Sequence, residues 1–556
     1  MDRGVDIART VMTRRRGRRW QVGALLVVPV VFLGYFFVYP LISIAVRGLT
    51  LDGSFDPSIV VDVLSDASLQ RVALFTVWQA TLSTILTLAV GLPLAWVFAR
   101  FSFRGKRVLS ALTLVPFVLP TLVVATAFVN LLGPRGMLGI DLTGTLAIIL
   151  IAHVFYNVAI VVRGVGSFWS SIDPRLEDAA RTLGATRWRA FRTVTLPVLM
   201  PAIIATATLV FLFAFTSFGV VLVLGDLTHT TIEVEIYRQA TAFLRLDVAT
   251  TLAVLQIVGI GVVLAVYAGL ERRSGSAFTQ RFREAPRPAT RAERISVRGV
   301  LTVGLAVLGA PLVFLVFRSL QNPAGGFGVQ NYRNLFGLPE QSAAFIDPTE
   351  AVVNSLLFAV AAMVVAMAIG LLVAAAVSLA SRRAGRVLDT FVMLPLGTSA
   401  VTIGFGFLIA LDWPVDLRGT AVLIPIAHAL VGIPFVVRTS SPALGGIQPE
   451  LGDAAATLGA SPWQVFRTIE LPIIRPALLV AAAFAFAISM GEFGATSFIT
   501  RPASPTIPIA IFRYLGQPGS VPFGAAIALS VLLMGVTAIA VGSIDRFGTR
   551  RAGTQG

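Results

Sequence analysis

The sequence predicts an all-α integral membrane protein, about 12 transmembrane helices in two tandem six-helix parallel repeats. Three observations predict it. Of 556 residues, 56% belong to the AVILMFWYC set and 13% are charged, with a mean hydropathy of +0.85. Soluble domains carry about 25% charge, so this chain has too little to cover a surface in water. Twelve stretches are long and apolar enough to cross a bilayer, which takes about 20 residues of helix. The second half repeats the first: Leu176–Ile203 and Leu451–Leu478 are identical at 16 of 28 positions without a gap.

The twelve stretches fall at 22–46, 73–99, 108–132, 143–162, 201–224, 248–270, 299–317, 351–380, 387–411, 420–437, 476–499 and 523–544. The first follows Arg14-Arg15-Arg16-Gly17-Arg18-Arg19. Its apolar run exceeds the roughly 7–15 residues of a signal-peptide core, so it reads as a retained span. Basic residues resist translocation and collect in cytoplasmic loops. With the N-terminus inside, the inner segments hold 34 of the 44 basic residues, which also places the C-terminus inside. The net charge of +16 therefore reports topology rather than nucleic-acid binding. There is no cysteine, which removes disulfides, thiol nucleophiles and Cys-based metal sites. With only His153, His229 and His428, no metal site or cofactor is expected.

The repeat divides the chain into a basic N-terminus 1–21, a first half 22–270, an Arg-rich inner linker 271–298 with Pro286 and Pro288, a second half 299–545 and a tail 546–556. An offset of 275 pairs His153 with His428, Arg163 with Arg438 and Gly219 with Gly494. Further upstream an offset of 279 pairs Gly91 with Gly370, Arg107 with Arg386 and Pro116 with Pro395. Equal span numbers in equal orientation make a parallel repeat about an axis along the membrane normal.

The halves agree best in the inner loops 163–200 and 438–475, not in a span. Loops vary unless they bind something. The first reads Asp178-Ala179-Ala180, three residues, Gly184, nine residues, Val194, one residue, Leu196-Pro197. The second reads Asp453-Ala454-Ala455, Gly459, Ile469, Leu471-Pro472 at the same spacing. Pro174 and Pro449 suit a helix start, the alanines favour helix with little bulk, and Gly184 and Gly459 can end it in a left-handed conformation. A second short helix is expected at Trp188–Val194 and Trp463–Ile469. The small-residue helices at 176–187 and 451–462 offer a partner protein close approach from the inner side.

These loops closely resemble the EAA loop, E-A-A-x3-G-x9-I-x-L-P, of the permeases of bacterial ABC importers, and the resemblance covers nearly the whole chain. It implies that Glu177, Asp178, Ala179, Ala180, Gly184, Leu196 and Pro197, with Asp453, Ala454, Ala455, Gly459, Leu471 and Pro472, couple to separate ATPase subunits, one per loop. Asp178 and Asp453 stand where the motif has Glu, Val194 stands for its Ile, and Glu177 faces Gly452 across the repeat. The chain has no G-x-x-x-x-G-K-[ST] phosphate loop, so it is no enzyme and ATP hydrolysis belongs to another chain. The resemblance further implies an extracytoplasmic substrate-binding protein and a place in the bacterial inner membrane among lipid.

Fusion of both halves in one chain resembles the thiamine and ferric-iron importer permeases. Phe75–Ala80, Gly91–Trp96, Pro116–Thr121 and Thr230–Tyr237 look more like the thiamine permeases, so a thiamine-like cation is the preferred solute and ferric iron the next. Glu492 reads as a carboxylate inside an apolar span, a costly placement. It is a candidate for the substrate path, with Ser217 opposite it in the repeat; protonation or bonding to backbone freed by the flanking glycines is the alternative. His153 and His428 are expected to hydrogen-bond neighbouring helices. A twelve-span secondary transporter driven by an ion gradient shares the span count but leaves the two loops unexplained.

Overall fold

The computed structural model describes residues 22–51, 54–56, 58–274, 290–322, 325–336 and 346–548. The basic N-terminus 1–21, the middle of the linker with Pro286 and Pro288, and the end of the tail lie outside the described residues. Ten helices are long and apolar enough to span a membrane: Val22–Arg47, Ala67–Arg100, Leu146–Ser171, Arg187–Phe215, Leu246–Tyr267, Arg291–Ser319, Pro348–Leu379, Leu423–Gly445, Trp463–Gly491 and Ser520–Gly542. Two bent helix pairs bring the number to 12 if each is one span. The one departure from helix among named elements is a two-residue antiparallel ladder, Thr50 opposite Phe55 and Leu51 opposite Ser54.

The bent pairs correct two of the expected spans. Stretch 108–132 is Lys106–Val118 followed by Thr121–Leu132, turned by 98°. Pro120 disfavours a helical conformation at the residue before it, and Leu119 is extended at φ −64°, ψ 141°. Stretch 387–411 is Arg382–Gly397 followed by Ala400–Ala410, turned by 82° between Arg383–Pro395 and Ala400–Ala410. Thr398 is extended there, and the Ser399 hydroxyl caps the new helix by accepting from the Val401 amide at 3.0 Å.

Two compact units form, and neither is one unbroken stretch. One comprises Gly48–Gly337 and Ile511–Val531. At its centre Ala67–Arg100 packs along Leu146–Ser171 and Leu196–Phe215. The Gln79 amide donates to the Ala214 carbonyl at 2.8 Å, and a Cβ on Gly91 would stand 2.6 Å from Val161 Cβ. Arg291–Ser319 belongs to this unit: Gly304 lies against Leu94, and Asn130 donates to the Phe314 carbonyl at 3.2 Å.

The other unit comprises Met1–Arg47, Leu338–Ala510 and Leu532–Gly556. Here Pro348–Leu379 packs along Leu423–Gly445 and Leu471–Gly491. A Cβ on Gly370 would stand 2.6 Å from Val436 Cγ1, the counterpart of the Gly91 contact. Val22–Arg47 joins this unit, with Pro40 and Ile44 against Gly406 and Tyr35 Oη donating to the Trp413 carbonyl at 3.0 Å. Each unit thus takes its first long helix from the other sequence half.

Candidate functional site: two matched inner loops

The first inner loop holds the helix Arg175–Thr182 and the second the helix Pro449–Thr457. Both end alike. The Gly184 amide donates to the Arg181 carbonyl at 3.0 Å and the Ala185 amide to the Ala180 carbonyl at 3.1 Å; Gly459 donates to Ala456 and Ala460 to Ala455, each at 3.0 Å. This paired closure needs a left-handed residue, and Gly184 and Gly459 supply it at φ +90° and +86°. The expected helices 176–187 and 451–462 are therefore shorter at their ends, because the glycines stop them.

The next segment corrects another expectation. No separate second short helix forms. Arg187–Ala190 and Pro462–Val465 run through a π-helical turn, Phe191–Thr195 and Phe466–Glu470, into the following span. A proline inside an α-helix lacks an N–H and collides with the carbonyl four residues back. The widened turn, closed by Leu196 donating to Phe191 and Leu471 to Phe466, relieves that at Pro197 and Pro472. The helices then end at Phe215 and Gly491, earlier than the expected 224 and 499, and short helices Gly219–Leu224 and Thr496–Ile499 follow a break.

The loops expose the same apolar side chains to the same degree. Leu183 and Leu458 are 88% and 89% exposed, Trp188 and Trp463 68% and 67%, Leu176 and Leu451 45% and 43%. Trp188 stacks on Phe191 at 5.6 Å and Trp463 on Phe466 at 5.5 Å. Asp178, Ala179, Asp453 and Ala454 are exposed, Ala180 and Ala455 half-buried, Leu196 and Leu471 half-buried at the span entrances beside exposed Pro197 and Pro472. None of these apolar positions was singled out from the sequence, although Leu176, Leu183 and Trp188 recur at the repeat offset.

Glu177 differs from its neighbours. Its carboxylate turns back into the protein, accepting from Arg100 Nη2 at 2.9 Å and from the Thr195 hydroxyl. Arg187 lies 3.7 Å from Glu293.

Inside each unit a buried histidine bridges helices. His153 reaches the Ser83 hydroxyl at 2.9 Å with Nδ1 and the Ser217 hydroxyl at 2.8 Å with Nε2. His428 reaches Ser489 at 2.7 Å with Nδ1; its Nε2 lies 2.8 Å from Thr496 Oγ1 and 3.1 Å from Glu492 Oε2. Glu492 and Ser217 are the equivalent residues, so the histidine meets the same position in both halves. Glu492 does not lie within a continuous helix, contrary to the expected stretch 476–499. It follows the helix end at Gly491, where its carboxylate accepts from the Ala495 and Thr496 amides at 2.7 and 3.1 Å and from Thr496 Oγ1 at 2.5 Å.

The sequence reading also passed over a buried carboxylate. Glu233, 0% exposed, lies on the short helix Ile232–Thr241 and accepts from the Gln256 amide. Among the described residues no group of three or more His, Cys, Asp or Glu is placed to hold a metal ion.

A helical membrane protein built from two repeats with matched loops has the makings of a transport component. The comparisons with known proteins agree. The model of the family described as "binding-protein-dependent transport system inner membrane component" matches twice, over residues 91–275 and 349–551. The chain belongs to this family, and it is an ABC importer permease. It is 29% identical over 488 residues to the thiamine transport system permease protein ThiP of Salmonella typhimurium, covering 84% of this chain and 88% of that one. With ThiP of Escherichia coli K12 the identity is 28% over 496 residues, covering 85% and 88%. With the probable ABC transporter permease protein y4fN of Sinorhizobium fredii it is 26% over 528 residues, covering 89% and 90%. Among solved structures, a bacterial ABC transporter involved in the import of alginate matches 48% of this chain and 99% of its own at TM-score 0.42 and 19% identity.

Proposed function

We propose that the protein carries a thiamine-like cation across the bacterial inner membrane, receiving it from an extracytoplasmic binding protein and driven by two ATPase subunits docked on its two inner loops. One observation carries the docking: leucine and tryptophan at three repeat-related positions, solvent-exposed to within two percentage points in both loops. Exposed apolar side chains are costly to keep in water unless a partner covers them. Asp178, Ala179, Ala180, Gly184, Leu196 and Pro197, with Asp453, Ala454, Ala455, Gly459, Leu471 and Pro472, form and support that surface. Glu177 acts from behind it. The Arg distribution puts the loops and both termini on the cytoplasmic side. The substrate class rests on the thiamine permeases among the relatives.

ATP binding draws the two ATPase subunits together, and their motion enters the spans through the short helices and the π turns behind them. Leu183→Asp with Leu458→Asp tests the docking. Both side chains are exposed, so the fold should persist while the ATPase no longer co-purifies; an intact complex refutes the docking. Calorimetry of the partner binding protein with thiamine and with ferric iron tests the solute, and iron binding without thiamine binding would reverse that preference.

A further inference from the structure

The two ATPase-facing helices present matching surfaces but are not held alike. Behind the first, Glu177 Oε1 receives Arg100 Nη2 at 2.9 Å, and the Thr195 hydroxyl donates to the same oxygen. Arg100 is the last residue of the Ala67–Arg100 helix, and Thr195 is the last residue of the π turn. One carboxylate oxygen therefore joins the docking helix, a span of 34 residues and the entrance to the next span. The Arg100 side chain is 14% exposed and that of Glu177 31%, and a charge-assisted bond away from bulk water is stronger than a neutral one. Behind the second docking helix the equivalent positions are Leu379, Gly452 and Glu470. An apolar side chain, no side chain and a lone acid cannot build this bridge.

We propose that Glu177 is a positioning residue: it clamps the first docking helix to the inner end of Ala67–Arg100, making the two levers mechanically unequal. Displacement of the first helix is passed at once to two spans, its own successor through the π turn and Ala67–Arg100 through the clamp. Displacement of the second passes by the π turn, without an Arg–Glu–Thr bridge. The functional consequence rests on the docking reading above; the clamp itself does not.

Amide hydrogen exchange of the full-length protein in lipid nanodiscs tests the clamp without any partner. The Arg175–Thr182 helix should exchange more slowly than Pro449–Thr457. Glu177→Gln should raise exchange in the first helix to the level of the second and leave the second unchanged. Arg100→Glu should act likewise, and Arg100→Glu with Glu177→Arg should restore protection, a rescue that loss of packing would not give. Equal protection of the two helices in the unaltered protein, no response to Glu177→Gln, or failure of the reversed pair would each overturn the clamp. In the complex with the ATPase, ATP should change exchange at residues 96–101 of the unaltered protein and not of Glu177→Gln, with the ATPase retained in both. An equal ATP response in both refutes the transmission role. If Leu183→Asp with Leu458→Asp shows that no ATPase docks there, the partner-free measurement still decides the clamp.

Discussion

The two halves are most alike where they face outward at the inner loops and least alike in what stands behind those surfaces. Exposure of Leu183 and Leu458, the φ of Gly184 and Gly459, and the two π turns agree closely. The supporting groups do not: Arg100, Glu177 and Thr195 stand against Leu379, Gly452 and Glu470. Two near-identical partners would demand matched surfaces, while the groups behind them meet no such demand and are free to diverge. The comparison can be pressed with substitutions made at equivalent positions in both halves.

The largest difference is expected at the buried histidines. His428→Ala removes a partner of the Glu492 carboxylate and strands the Ser489 hydroxyl, while Thr496 keeps its bond to Glu492; His153→Ala strands only Ser83 and Ser217. Taking one partner from a buried ionisable pair costs about 3–5 kcal/mol, and leaving neutral polar groups unpaired costs about 1–3 kcal/mol each. Thermal unfolding in nanodiscs should show the larger loss for His428→Ala; equal losses would mean that the two amides and Thr496 alone carry Glu492. Glu492→Gln keeps the shape of that carboxylate, and unchanged uptake with unchanged coupling to ATP hydrolysis would remove Glu492 from the substrate path.

Equal effects are expected next at the span glycines. An added methyl at Gly91 or Gly370 would meet Val161 or Val436 at 2.6 Å, and overpacking of this kind costs about 1–3 kcal/mol. Gly91→Ala and Gly370→Ala should lower the unfolding temperature by similar amounts. A difference would show that one helix pair yields more easily than the other.

Smaller still in stability, but visible in coupling, are Gly184→Val and Gly459→Val. Neither glycine has an atom within 4 Å of an added Cβ, so the cost is conformational, about 1–2 kcal/mol for an L-residue in the left-handed region. That is enough to shift the loop closure by a factor of roughly 5–30. ATPase attachment or the solute moved per ATP should fall in each single variant and further in the pair. Normal coupled uptake by the double variant would break the likeness of the two loops at its centre.

The fold class and the likeness of the two loops were legible in the sequence because their signals are local and doubled: apolar length, and one spacing repeated at a fixed offset. What escaped was long-range or hidden in a continuous apolar run. The bend at Leu119 lies inside a stretch of even hydropathy where Pro120 is the local hint, and the bend at Thr398 falls on the short polar interruption Thr398-Ser399 of an otherwise apolar stretch. The breaks after Phe215 and Gly491 fall at Thr216-Ser217 and at Glu492, interruptions too short to end an apolar stretch, which made Glu492 look like a carboxylate in mid-helix when it caps freed amides. The Arg100–Glu177 bridge joins residues 77 apart, and no periodicity reports such a pair. Exchange of the first helices between units was equally invisible, since both helices are apolar along their lengths and nothing local says where they pack.

The smallest effect is expected at the outer hairpins. In the second half, Arg418 donates to the Asp416 carboxylate from Nε and Nη2, each at 2.9 Å, and from its backbone amide at 3.0 Å. These bonds, with the charges of Arg418 and Arg501, lower the Asp416 pKa to about 2. In the first half, Asp141 accepts from the backbone and hydroxyl of Thr143, with no cation on that residue. A carboxyl whose folded pKa is depressed contributes stability above its unfolded value, and the contribution is lost as pH falls through the folded value. Amide exchange over residues 411–420, corrected for its intrinsic pH dependence, should therefore be flat from neutral pH to about 4 and rise between about 4 and 2. Arg418→Gln should shrink that rise, because a folded pKa nearer the ordinary carboxylate value leaves less stability to lose on acidification. Because Asp416 is fully exposed, water and salt screen the pair and global unfolding should scarcely move; a large shift in unfolding temperature between pH 4 and 3 would show that this hairpin supports more of the unit than its own turn.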